Sequence, residues 1–191
     1  NGKITKKPDF IVKDTDTIVV SSDQISDFLR PLKKDSEKNQ KIIFDSKGFF
    51  IADKPPFVST EEYIGDFLPV HRLDKNTSGV LVIAKNPVSQ ALLQGQWKAR
   101  EVKKTYLALV KGHLSPLKGA IEGGIARSRR DRTKMSISNA PKARNAYTEY
   151  EVVKYFNRAS QLNSDLTLLK AFPATGRTHQ IRVHLAGIGH P

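Results

Sequence analysis

Six segments rich in β-branched and aromatic residues recur along this chain, at Ile42 to Phe44, Phe49 to Ala52, Val80 to Ile83, Tyr106 to Val110, Tyr147 to Val153 and Leu166 to Ala171. Such side chains suit a pleated, half-buried surface and mark strands. Only two helical patterns lie among them. One runs from Pro87 to Arg100, where Val88, Ala91, Leu92, Gly95 and Ala99 keep helical spacing and Pro87 suits a first turn. The other opens near Thr178 and continues through Ile181 and Leu185. Strands in runs, without regular alternation with helices, predict an α+β fold around a mixed, mostly antiparallel sheet with flanking helices and loops.

Residues 1–22 read as a small β element, with turn-forming Asn1-Gly2, then Asp14 and Asp16 ahead of the apolar run Ile18 to Val20. A chain opening on the turn of a hairpin is expected to begin inside a domain. Residues 23–40 are polar, charged and split by Pro31, as in a linker. Residues 41–191 are expected to form the main folded domain.

Charge narrows the partner. Thirty-two Lys and Arg against 19 Asp and Glu leave a formal charge of +13, spread along the chain rather than gathered in a tail. An excess of this size in a small protein is the footprint of phosphate binding and points to nucleic acid rather than a membrane surface. It peaks in the run ARSRRDRTK, where Arg127, Arg129, Arg130, Arg132 and Lys134 fall within nine residues between two strand candidates. We read that run as a loop gripping phosphate.

There is no cysteine, which excludes disulfides, thiolate zinc sites and Cys nucleophiles. Of the five His only His179 and His184 lie close together, so no metal site is expected. No apolar run approaches the roughly 20 residues that span a bilayer, and the expectation is a cytoplasmic monomer.

Two segments carry the chemistry. In VHRLDKNTSGVLVIAKN, Asp74 sits in a turn-like run just before a strand, where neighbouring Thr77 and Ser78 could hold a nucleophilic or general-base carboxylate. Capping of the turn is the plainer role for a lone Asp there. In AFPATGRTHQIRVHLAGIGHP, Arg177 and Arg182 are five residues apart and need not share a helical face. An inward arginine would require a carboxylate partner; both could equally face outward. Spacing alone does not choose.

HRLDKNTSG resembles the signature of RluA-type RNA pseudouridine synthases, and GRTHQIRVHLAGIGHP resembles the C-terminal motif of that family. IIFDSKGFFIADKPP is similar to the family's lead strand pair ending in a DKP turn. KKTYLALVKG is similar to its tyrosine-bearing strand, and SRRDRTKMSIS with KARNAYTEYEVV to its basic hairpin and following strand. The likeness covers Lys41 to the end. The opening segment is similar to the second half of an S4 RNA-binding domain, with Thr15 where Gly is usual. The family normally continues beyond GHP with strands that complete its sheet, which are expected to lie outside this sequence.

The resemblance implies a pseudouridine synthase fold, no cofactor, and RNA as substrate and partner: large-subunit ribosomal RNA by family habit, or tRNA as the alternative. It implies that Asp74 is the catalytic carboxylate, either adding to C1′ of the uridine or removing the C2′ proton. Tyr106 would stack on uracil and assist loss of the C5 proton, and Arg182 would pair with Asp74 and orient it. Arg72 would fill the gap left by the extruded base, and Ile181 could line the base-side wall or simply serve the core. Arg177, Arg129, Arg130, Arg132 and Lys134 would meet RNA, and His71 would be structural or lie near phosphate. An RNA-binding module without catalysis and a glycosidase-like enzyme are the rivals. The second would need two carboxylates, and neither motif supplies another.

Overall fold

The computed structural model describes residues 40–159 and 164–191. The S4-like segment and all but the last residue of the linker lie outside the described residues. The chain divides into two compact units at Glu101–Val102.

In the first unit, β1 (Ile42–Asp45), β2 (Phe49–Lys54), β3 (Leu68–Pro69) and β4 (Gly79–Ala84) form an antiparallel sheet in the order β1-β2-β4-β3. Helix α1 (Thr60–Ile64) separates β2 from β3, and α2 (Pro87–Ala99) follows β4. Period-two burial builds the core. Phe50 and Ala52 on β2 and Leu81 and Ile83 on β4 are fully buried, and Phe67 meets the Phe50 ring edge-on at 4.9 Å. Val80 is 59% exposed because it occupies the outward register.

Helix α1 is too short for a periodicity signal, yet its start is well defined. Ser59 accepts from the Glu62 amide, and the Glu62 carboxylate accepts from the Ser59 amide, which closes a capping box. Hydrogen bonding to the carboxylate, first from the Ser59 amide and then from the Ser59 side chain, holds the Glu62 carboxyl below its usual range. Helix α2 begins as expected, with Asn86 accepting from the Ser89 amide and Pro87 in the first turn. Its docking face differs from the apolar stripe. Val88 and Leu92 are exposed, while Gln90 and Gln94 both donate to the Pro69 carbonyl and Trp97 stacks on His71.

The second unit is one antiparallel sheet in the order β5-β9-β8-β6-β7, with α3 (Gln180–Gly187) packed on it. Its strands are β5 (Tyr106–Lys111), β6 (Lys118–Arg127), β7 (Met135–Ile137), β8 (Arg144–Ala159) and β9 (Ser164–Pro173). Strand β8 continues beyond Val153, past a register shift between Val152 and Lys154. A bulge re-aims side chains and breaks the alternation a sequence reading follows. Strand β6 is rich in glycine and so reads poorly as a strand. At Gly119 the requirement is steric, because a Cβ there would lie 2.6 Å from the Tyr150 hydroxyl. Among the described residues no helix is long and apolar enough to cross a membrane.

Candidate active site

Asp74 lies in the loop between β3 and β4, and the backbone on both sides of it is pinned from beneath. Just before it, buried Leu73 is bracketed by the hydroxyl of Thr60, which accepts from the Leu73 amide and donates to its carbonyl, each at 3.0 Å. Just after it, the Lys75 carbonyl accepts from the Lys54 ammonium at 3.3 Å. Lys54 is fully buried and also donates to the carbonyls of Pro55 and Val58, both at 2.8 Å. Its three N–H bonds thus tie the DKP turn to the aspartate loop. Burial pushes Lys54 below the ordinary lysine range, while the charge of Asp74 acts in the opposite direction. The contribution of Thr77 is main-chain: its amide donates to the Asp74 carbonyl at 2.9 Å. The Asp74 side chain is left half-buried at the sheet margin.

The flanking motif residues divide cleanly. His71 is held within the first unit, its Nε2 accepting from the Val82 amide at 3.0 Å and its ring stacked on Trp97 at 4.7 Å. That bond leaves the proton of the neutral ring on Nδ1. Arg72 is exposed and lies 3.5 Å from the equally exposed Glu61. Such a pair contributes little to stability and leaves the guanidinium accessible.

In the second unit, Tyr106 begins β5, pairs with Ala171 on β9, and packs half-buried against the cluster of Val110, Tyr150, Leu169, Ala171 and Leu185. Ile181, from α3, packs against the same cluster, so the fold brings these two residues onto one apolar surface. Arg182, next to Ile181, is exposed. Arg177 is half-buried, and its Nε donates to the Asn145 carbonyl at 3.2 Å.

The sequence reading missed the residue that organises this corner. Gln180 is buried, donates to the Tyr147 carbonyl and the Thr148 hydroxyl, and accepts from the Thr175 hydroxyl and the Arg177 amide. Its amide therefore spans β8, the turn after β9 and the helix start. This explains why α3 opens at Gln180 rather than Thr178: His179 takes a left-handed conformation, φ 56°, as its N-cap. One turn on, His184 is fully buried with Nδ1 3.0 Å from the Thr148 hydroxyl. Burial lowers its pKa from 6.5, with the Gly123 backbone opposing weakly. Lys54, Thr60 and Gln180 carry no motif of their own, although the DKP and HQIR runs contain two of them.

The basic run forms the connection from β6 to β7. Its turn is held by its own polar groups: Ser128 Oγ accepts from the amides of Arg130 and Asp131, and Asp131 accepts from the Thr133 amide and hydroxyl. Those Thr133 bonds hold the Asp131 carboxyl below its usual range. Lys134 pairs with Asp131 at 3.2 Å, and the Arg132 carbonyl accepts from Arg127. Arg129 and Arg130 line a cleft of about 610 Å³ beside this turn; Arg132 and Lys134 do not.

A family model described as RNA pseudouridylate synthase matches residues 57–187. An uncharacterized RNA pseudouridine synthase of Mycoplasma genitalium is 32% identical over 210 residues, covering 100% of this chain and 66% of that protein. The ribosomal large subunit pseudouridine synthase D of Borreliella burgdorferi is 42% identical over 122 residues, covering 64% of this chain and 35% of that protein. The chain thus spans at most about two thirds of the length of these relatives. Among solved structures, human RNA pseudouridylate synthase domain containing 1 superposes with a TM-score of 0.71 at 28% identity, over 84% of this chain and 69% of that one. With the family model matching well over half of its residues, this chain belongs to the RNA pseudouridylate synthase family.

Proposed function

We propose that this chain is the catalytic portion of an enzyme that isomerises specific uridines to pseudouridine in structured RNA, with Asp74 as the essential carboxylate. The observation that carries this reading is the double anchoring of the aspartate loop, by Thr60 at Leu73 and by Lys54 at Lys75. A reacting carboxylate must be held to within a fraction of an ångström, and buried polar anchors on either side do that at the backbone.

The reaction breaks the C1′–N1 bond, turns the uracil, joins C5 to C1′, and moves a proton from C5 to solvent while N1 gains one. Atoms and electrons balance without a co-reactant. Asp74 adds to C1′ or removes the C2′ proton, Tyr106 stacks on the base and assists C5 deprotonation, and Arg182 orients the carboxylate. Tyr106 suits its role in presenting a half-buried ring on a firm apolar cluster, to which Ile181 adds a wall. Extruding the uridine costs a few kcal/mol, and the accessible guanidinium of Arg72 is suited to occupy the vacated stack. Arg177 and the arginines of the β6–β7 connection meet the backbone of the RNA.

The substrate we favour is large-subunit ribosomal RNA, supported by the name of the Borreliella burgdorferi relative and by the charge of +13; a tRNA uridine is the alternative. Asp74→Asn removes a charge with almost no change in volume. It is expected to abolish pseudouridine formation in single-turnover assays while RNA affinity stays within a few-fold. Product from the purified Asn variant would remove Asp74 from the mechanism. Mapping pseudouridines in cells with and without the gene distinguishes the two RNA classes.

A further inference from the structure

The cleft beside the β6–β7 connection has a composition that phosphate gripping alone does not require. Its rim is cationic, with Arg127, Arg129 and Arg130, and no acidic side chain lines it. The one acidic residue of the turn, Asp131, is engaged with Thr133 and Lys134. The floor is apolar and includes Ile137, which is 38% exposed. That side chain rests on the last turn of α3, where a Cβ on Gly187 would come within 2.3 Å of it. Ser136 and Asn139 supply further polar groups beside the floor. A cationic rim, an apolar seat and a few uncommitted polar groups match the three parts of a nucleotide: phosphate, base face and base edge.

We propose that this cleft is a binding subsite for one unpaired ribonucleotide of the RNA, distinct from the uridine that reacts. Arg129 and Arg130 take its phosphate, Ile137 receives the base face, and Asn139 and Ser136 meet the base edge or the 2′-hydroxyl. The inference rests on the proposed function for the identity of the polymer. The turn is shaped in advance by its Ser128 and Asp131 bonds, so little ordering is needed on binding.

The test compares two double variants of the full chain that lose equal charge, Arg129→Ala with Arg130→Ala, and Lys118→Ala with Lys154→Ala. The second pair lies toward the opposite end of β6 and β8. Affinity for a stem-loop RNA is measured over a range of salt concentrations. The arginine pair is expected to reduce the log-log salt slope by about 0.7, the value for one single-strand phosphate; the lysine pair should change it by less than half as much. In parallel, the same RNA carrying a 4-thiouridine in its unpaired loop should cross-link to the peptide containing Ile137. Equal slopes in the two double variants, or cross-links confined to other peptides, overturn the subsite while leaving isomerisation by the wild-type chain intact. The expected slopes and cross-link in a chain that forms no pseudouridine would overturn the proposed function and keep the subsite. A chain that binds no RNA overturns both.

Discussion

The aspartate loop and the arginine loop are both polar connections between antiparallel strands, yet they are held in opposite ways. The first is anchored from the protein interior. Thr60, 1% exposed, bonds the backbone of Leu73, 13 residues on, and Lys54, fully buried, joins the carbonyls of Pro55 and Val58 to that of Lys75, 21 residues on. The second is anchored by itself, through bonds among Ser128, Arg130, Asp131 and Thr133 that span no more than three residues at the surface. Buried polar anchors couple position to global stability, because leaving a buried acceptor unsatisfied carries a full desolvation penalty. Surface self-bonds shape a turn at little consequence for the fold. The contrast suits a carboxylate that must not move and arginines that need only reach.

Lys54→Met is the severest test of this contrast. It keeps an apolar stem but strips donors from three carbonyls, and a loss of about 2–4 kcal/mol is expected. Urea unfolding measures it; a loss under about 1 kcal/mol would show that the anchor is dispensable and erase the difference between the loops.

His184 extends the idea of interior anchoring to the second unit and should have an intermediate, pH-dependent effect. Its pKa in the folded protein lies below 6.5, so the unfolded chain binds the proton more readily. Its contribution is therefore complete above about pH 6.5 and declines as the pH falls below that value toward the folded pKa. Unfolding free energies measured from neutral to mildly acidic pH should show a decline that is shallower in His184→Gln. Parallel curves for the two proteins would mean that this histidine is not an acid-sensitive anchor.

Ser128→Ala should do least to the fold. Its two 3.3 Å bonds are local, and the stability change should stay within about 0.5 kcal/mol. RNA affinity should fall a few-fold as the turn loosens. A large drop in thermal stability would place this loop in the same class as the aspartate loop.

Much of the first level of structure was legible. Alternation and β-branching located six strands, Pro87 marked the start of α2, and the charge excess pointed to the arginine run. The misses have specific causes. Strand β6 was hidden by Gly119, Gly123 and Gly124, residues whose presence reflects close neighbours rather than strand preference. Helix α2 was found with the wrong face, because two glutamines bonding to Pro69 outweigh a weak apolar stripe. Arg129, Arg130, Arg132 and Lys134 look alike in sequence, but the turn points the first two along the cleft and occupies Lys134 with Asp131.

The sequence by itself determined the fold class, the family and the residue types offered for chemistry, since periodicity, charge and ordered motifs are local properties of the chain. Tertiary structure alone decided that a lysine in a DKP turn would be buried beneath the aspartate loop, and that Thr60 would clasp Leu73. It also made Gln180 the link between β8 and α3. Those assignments depend on long-range closure, which brings a buried donor to whichever backbone carbonyl the fold leaves unpaired, and nothing in the spacing of residues along the chain records that need.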